Sequence, residues 1–140
     1  QSEEDVQKWM LQVCDALGYL HRQDPPIVYR DMKPSNIMLH PDGYIKLIDL
    51  GVAREYKDEA RKDTIAFGTT GYAAPEQYGI FQSDERADIF SLGVLLNIML
   101  TGKHPSREMA AGKMGRIVRK CTMTAPEQRY QSARALMEVL

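Results

Sequence analysis

The chain has 140 residues, of which 44% are hydrophobic, enough for one domain with a buried core. Its formal net charge is −1 at pH 7, from 18 basic and 19 acidic side chains. This balance excludes a global basic field for nucleic acid or anionic membranes. No apolar run is long enough to span a bilayer and no signal peptide opens the sequence, so we expect a cytoplasmic location.

The first predicted element is an amphipathic helix. Ser2 followed by Asp5 is a capping signature, and apolar residues recur behind it at helical spacing. Those residues are Val6, Met10, Val13, Leu17 and Leu20. The two prolines after Asp24 predict the end of this segment, because proline excludes a continuing helix.

A β-hairpin is predicted in the next part of the chain. Two short apolar segments, 37–39 and 45–48, flank the sequence Pro41-Asp42-Gly43. Proline fixes φ in such a turn and glycine accepts a positive φ, so the two segments should pair as antiparallel strands.

Polar residues lie at the outer ends of this hairpin. Pairing of the strands would bring Asn36 and Asp49 together, with Asp31 just upstream. Their side chains are oxygen donors, which Mg²⁺ prefers. With Lys33 beside them, the cluster indicates phosphoryl-transfer chemistry. A turn that carries a chance Asp and Asn is the alternative.

The stretch 52–70 is polar and without clear periodicity, which predicts a mobile loop. From Asp88 to Leu100 apolar residues surround the helical axis, which predicts a central helix buried on all sides. Ser83 or Asp84 can cap its start, and Gly102 can stop it.

Two further helices are predicted near the end of the chain. Residues 114–121 and 133–140 both repeat apolar side chains at helical spacing. The first of these helices has a basic face formed by Arg116, Arg119 and Lys120. We interpret this face as a solvated surface, with a binding patch as the alternative. Cys14 and Cys121 lie singly in helical patterns, which favours buried reduced thiols, with a disulfide as the alternative.

Three motifs carry a resemblance to a known family. The segment Tyr29-Arg30-Asp31-Met32-Lys33-Pro34-Ser35-Asn36 resembles the catalytic loop of serine/threonine protein kinases. Asp49-Leu50-Gly51 resembles their Asp-Phe-Gly turn, and Ala74-Pro75-Glu76 their Ala-Pro-Glu segment. Tyr29 stands where the family usually has His, and Leu50 where it has Phe, both at positions of apolar contact.

The resemblance, to the bacterial eukaryotic-like kinases, implies an α+β, mainly helical fold: the large kinase lobe, with a small β-hairpin at the catalytic loop. It implies transfer of the γ-phosphoryl of ATP to Ser or Thr of a protein substrate, with Mg²⁺. The implied catalytic residues are Asp31, Lys33, Asn36 and Thr69. The implied nucleotide contacts are Lys33, Asn36, Met38 and Asp49, and the implied metal ligands are Asn36 and Asp49.

Other residues have implied regulatory or structural roles. Arg30 would bind a phosphate on Thr64. The alternative is that Thr64 is an unmodified surface residue. Glu76 and Arg129 would form a structural ion pair. Asp88 would hold the catalytic-loop backbone, and a simple helix cap is its alternative. Between His104 and Met114 there is little room for the substrate-docking helix of kinases.

The sequence lacks a Gly-x-Gly-x-x-Gly loop and a Val-Ala-x-Lys strand. We therefore expect residues 1–140 to be the carboxyl-terminal lobe of a kinase, cut from a longer chain and inactive alone. The missing lobe would be its partner in the same polypeptide, and the uncovered surface around Met38 and Leu50 would favour self-association. A non-catalytic kinase-like scaffold is the alternative function.

Overall fold

The computed structural model describes residues 2–48, 54–55, 71–78 and 84–140. Its helices are α1 (Glu3–His21), α2 (Arg86–Thr101), α3 (Gly112–Cys121) and α4 (Ala133–Met137). Its strands are β1 (Ile27–Val28), β2 (Ile37–Leu39), β3 (Ile45–Leu47) and β4 (Arg54–Glu55). Short 3-10 turns cover Pro34–Asn36, Pro75–Tyr78 and Pro126–Gln128. The fold is therefore mainly helical with small antiparallel sheets, as the sequence predicts.

Helix α1 begins at its predicted cap. The Ser2 hydroxyl accepts a hydrogen bond from the Asp5 amide at 3.1 Å, which satisfies one of the free N–H groups of the first turn. Val6, Met10, Val13 and Leu17 are fully buried on one face, and Leu20 packs at the edge of the core. The amphipathic pattern therefore gives the correct inward face of this helix.

The predicted hairpin is present. Strand β2 pairs with β3 in antiparallel register, with Ile37 opposite Leu47 and Leu39 opposite Ile45. The side chain of Gln12 on α1 fixes the turn, because it donates to the Gly43 carbonyl at 3.0 Å and accepts from the Ile45 amide at 2.8 Å. These two hydrogen bonds attach the backbone of the hairpin to helix α1.

A second, smaller pairing was not predicted. Strand β1 pairs with β4, so that Ile27 lies opposite Glu55 and Val28 opposite Arg54. The stretch 52–70, predicted to be a mobile loop, therefore includes a two-residue strand at 54–55, and its other residues lie outside the described part of the chain. Backbone hydrogen bonding decides such a pairing, and a strand of two residues leaves no periodicity in the sequence.

Helix α2 forms the centre of the core. Its residues from Ala87 to Asn97 are buried, except for a half-buried Phe90. The helix begins at Arg86, two residues earlier than the pattern indicated, with Glu85 as its N-cap. The Asp84 carboxylate accepts from the Arg86 amide at 2.9 Å, whereas Ser83 lies outside the described residues.

Helix α3 packs closely on α2. A Cβ added to Gly93 would lie 2.4 Å from the Cβ of Cys121, so only glycine permits this approach. Between Gly102 and Gly112 the chain forms turns and no helix. The predicted shortage of room for a docking helix is confirmed.

Both cysteines are buried and free, so the disulfide alternative is not realised. Burial raises the pKa of the Cys14 thiol to about 12 and also raises the pKa of Cys121. Both thiols are therefore protonated and unreactive at neutral pH.

Within the part of the chain that the structure describes, no helix has the length and apolar character needed to cross a membrane.

Candidate active site

A fully buried carboxylate on α2 holds the loop that precedes Asp31. Asp88 accepts hydrogen bonds from the backbone amides of Tyr29 and Arg30, each at 2.8 Å. The ring of His21, the last residue of α1, lies 2.8 Å from the same carboxylate. One buried charge thus joins the central helix, the first helix and the loop, and these contacts offset its desolvation.

Arg30 has an unusual backbone conformation, with a φ of 72°. A non-glycine residue in this region carries strain of about 1–3 kcal/mol, so neighbouring contacts must impose it. Asp88 holds the Arg30 amide, and the side chain of Gln77 donates to the Arg30 carbonyl at 3.0 Å. The peptide units on both sides of Arg30 are therefore fixed, and the next residue is Asp31.

Asp31, Lys33 and Asn36 come together around this loop. The Lys33 ammonium lies 3.7 Å from the Asp31 carboxylate, and both side chains are partly exposed. The amide nitrogen of Asn36 donates to the main-chain oxygen of Asp31 at 2.8 Å and to its carboxylate at 3.2 Å. A carboxylate held in this way can orient a hydroxyl group or accept its proton.

The orientation of Asn36 also decides which of its atoms can bind a cation. Because its nitrogen is engaged by Asp31, the side-chain oxygen is the atom left to act as a ligand. Such an oxygen fits a hard divalent cation. Among residues 2–48, 71–78 and 84–140 there is no group of three His, Cys, Asp or Glu side chains that could hold a metal.

Tyr29 contributes more than the expected apolar contact. Its side chain is fully buried, and its hydroxyl donates to the carbonyl of Ile48, the last described residue before Asp49. The Ile48 amide donates to the Asn36 carbonyl at 3.0 Å. The hydroxyl of Tyr29 therefore links the end of the hairpin to the loop that precedes Asp31 by a hydrogen bond. The sequence pattern did not reveal this role.

Glu76 and Arg129 form a bidentate ion pair, with N–O distances of 2.7 and 2.9 Å. The Arg129 side chain is fully buried, whereas that of Glu76 is 19% exposed. The three remaining N–H bonds of the guanidinium go to the carbonyls of Met123, Arg86 and Thr124. All five donors of Arg129 are thus satisfied, which compensates the burial of its charge.

Several predicted site residues are not brought into this arrangement by the described structure. Asp49, Thr64 and Thr69 lie outside the described residues, as does the Leu50-Gly51 pair. Met38 is described, and its side chain is 53% exposed on the hairpin. Sequence reasoning missed His21, Gln77 and the Tyr29 hydroxyl, since polar side chains that bind backbone groups follow no spacing rule.

The family follows from comparison with known proteins. The family model described as protein kinase domain matches residues 1–139. The chain therefore belongs to the protein kinase domain family, with the mainly helical fold of its large lobe. Proteins of this family generally use ATP and Mg²⁺.

Named relatives agree with this family. Ribosomal protein S6 kinase alpha-6 of Mus musculus is 36% identical over 139 residues, which cover 99% of this chain and 18% of the relative. Serine/threonine-protein kinase AtPK2/AtPK19 of Arabidopsis thaliana is 34% identical over 138 residues, covering 99% and 28%. Probable serine/threonine-protein kinase PknB of Bifidobacterium longum (strain NCC 2705) is 41% identical over 107 residues, covering 74% and 15%. The chain thus spans less than a third of each of these relatives.

Proposed function

We propose that this chain is the carboxyl-terminal lobe of a serine/threonine protein kinase, which transfers the γ-phosphoryl of ATP to Ser or Thr of a protein. The observation that carries the proposal is the fixed position of Asp31, whose loop is held by Asp88 and Gln77 and whose side chain contacts Lys33 and Asn36. The serine/threonine kinases among the relatives support the same acceptor class.

Each residue of the site has a distinct role in this proposal. Asp31 orients the acceptor hydroxyl and takes its proton, and Lys33, 3.7 Å away, neutralises charge on the phosphoryl group. We propose that Thr69, which lies outside the described residues, acts together with both. Asn36, through its side-chain oxygen, and Asp49 hold Mg²⁺, which supplies charge neutralisation on the phosphates.

The same proposal extends to regulation and location. A phosphate on Thr64 pairs with the guanidinium of Arg30, the residue next to Asp31. Mapping of phosphorylated residues in the active protein tests this pairing.

The nucleotide is bound by a glycine-rich loop and a strand Lys, which the other lobe of the complete protein supplies. The two buried thiols fit a reducing cytoplasmic location.

Replacement of one carboxylate tests the activity. In the complete protein, Asp31→Asn should lower kcat by at least about 100-fold, the usual contribution of a general base. Asp42→Asn is the matched control, since Asp42 is exposed at the far end of the hairpin. Equal phosphorylation by wild type and Asp31→Asn would refute the role of Asp31. A complete protein without any turnover would favour the scaffold function instead.

A further inference from the structure

The exposed side of helix α3 consists almost entirely of cations. Apart from Gly112, every exposed residue of this helix carries a positive charge. These residues are Lys113, Arg116, Arg119 and Lys120. At about 3.6 residues per turn, they occupy an arc of about 120° and a length of about 10 Å along the helix. We call these four residues the cationic stripe of α3.

The opposite side of α3 is packed in the core and fixes the position of the stripe. Cys121 lies so close to α2 that a Cβ added to Gly93 would be 2.4 Å from its own Cβ. At the end of the stripe, the ammonium of Lys120 lies 4.8 Å from the centre of the Tyr130 ring, a cation–π contact. A partner would therefore meet charges on a backbone that is already ordered, which lowers the entropic cost of binding.

In the described part of the chain, no acidic side chain forms a salt bridge with the stripe. The other exposed helices differ, since Lys8 of α1 pairs with Glu4 at 3.5 Å and Arg134 of α4 pairs with Glu138 at 3.7 Å. Arg116 instead has a cation three residues before it and cations three and four residues after it. Like charges at these spacings repel, and an anionic partner would remove the repulsion.

The surroundings of the stripe favour a narrow partner. Glu3, the first residue of α1, lines a cavity together with Met114 at the start of α3, and Glu4 and Asp5 follow it at the surface. A membrane or a nucleic acid on the stripe would also approach these acids, which would repel it. An acidic polypeptide segment can follow the stripe alone, and its carboxylates can pair bidentately with the guanidinium groups.

We propose that the cationic stripe of α3 is a docking surface for an acidic segment of a partner protein, whose carboxylates pair with its four cations. The sequence pattern leaves a binding patch open as the alternative to a solvated surface. Four charges that no described acid neutralises, on a helix fixed by its buried side, favour the binding patch. The proposal goes beyond the proposed kinase function, because it concerns the recruitment of a partner and is tested by binding alone.

Fluorescence anisotropy of the complete protein tests the docking, with a labelled helical peptide of Glu and Ala as the probe. The same peptide with Gln in place of Glu is the uncharged probe. We expect the wild type to bind the Glu peptide at least about 10-fold more tightly than the Gln peptide, and to bind it more weakly as salt rises from about 0.05 to about 0.5 M. Arg116→Glu changes an attraction within the stripe into a repulsion, so it should weaken binding of the Glu peptide about 10-fold.

Arg134→Glu is the matched control, because it makes the same change of charge at an exposed residue of α4. It should leave binding of the Glu peptide within about twofold of wild type. Urea denaturation checks that Arg116→Glu is folded, as expected for a change that removes repulsion within α3. Arg116→Gln replaces it if it fails to fold, and should weaken binding about 3-fold.

Several outcomes would overturn the proposal. One is equal binding of the Glu and Gln peptides, another is equal binding by wild type and Arg116→Glu, and a third is an equal loss in Arg134→Glu. Vesicles containing phosphatidylserine or a DNA duplex, bound more tightly than the Glu peptide and released by Arg116→Glu, would assign the stripe to a membrane or to nucleic acid instead. Self-association that Arg116→Glu abolishes, measured by sedimentation, would assign it to a second copy of the chain.

Discussion

At the scale of single residues, Asp88 fixes the backbone of the loop that precedes Asp31. Both of its carboxylate oxygens accept a backbone N–H group, one from Tyr29 and one from Arg30. These two bonds help to impose the strained φ of 72° at Arg30. The strain is thus maintained by a buried carboxylate on the central helix, next to Asp31, the proposed catalytic residue.

Asp88→Asn should therefore destabilise the complete protein. An amide has only one oxygen, so in either orientation its NH₂ group faces a backbone N–H donor and leaves it unsatisfied. We expect a loss of about 1–3 kcal/mol in the free energy of unfolding, measured by urea denaturation. Asp15→Asn, an exposed position on α1, is the control and should change stability by less than about 0.5 kcal/mol. A fully stable Asp88→Asn variant would show that the carboxylate is not required.

The residues that hold the site differ in how far the sequence reveals them. Asp31, Lys33 and Asn36 could be proposed from the spacing of their chemical groups, and the structure brings all three together. Gln77 could not be found in this way, because it binds a backbone carbonyl 47 residues away. Backbone carbonyls are the same in every residue, so the sequence contains no signal for such a partner.

At the scale of elements, apolar periodicity predicts the helices well and the shortest strands poorly. Helix α1 has one buried face and α2 is buried nearly all round, as their patterns indicate. Strands β1 and β4 have two residues each, too few to show alternation. Their pairing depends on which backbone edges meet in the folded chain, and that depends on tertiary structure.

Helix α3 carries four exposed cations that repel one another. Lys113, Arg116, Arg119 and Lys120 are all exposed on the same side, and the described structure shows no salt bridge to any of them. Arg116 is three residues from Lys113 and from Arg119, and four from Lys120. Like charges at these spacings repel, and Lys113 also lies unfavourably at the positive end of the helix dipole.

Arg116→Glu should consequently stabilise the complete protein. The new carboxylate would be surrounded by three cations at favourable spacings, so we expect a gain of about 0.5–1 kcal/mol at low salt. Arg116→Gln removes the repulsion without adding attraction and should give a smaller gain. Urea denaturation at low and at 0.5 M salt measures both, with the difference reduced at the higher salt concentration. An Arg116→Glu variant less stable than wild type would contradict the repulsion argument.

At the scale of the whole molecule, the helical core and the hairpin differ in how completely their apolar side chains are buried. Helices α1, α2, α3 and α4 contribute to one continuous apolar core, which includes Val6, Leu92, Ile117 and Leu136. We expect that core to form without further elements. The hairpin, by contrast, exposes Met38, Leu39 and Tyr44 at about half of their surface. Met38 and Leu39 follow each other in one strand and so lie on opposite faces of the hairpin. Each leaves apolar surface available for contact with another lobe, or with a second copy of the chain.

The 140-residue chain should accordingly fold alone and bind ATP only weakly. It contains Asn36 and Asp49, but neither a glycine-rich loop over the phosphates nor a strand Lys to pair with them. Calorimetry of the purified chain with Mg²⁺ and ATP should give a Kd weaker than about 1 mM, no more than 4 kcal/mol of binding free energy. Phosphorylation should be undetectable, and the complete protein under the same conditions is the positive control. Micromolar affinity, or any measurable turnover by the isolated chain, would show that these residues are a sufficient enzyme and that no second lobe is required.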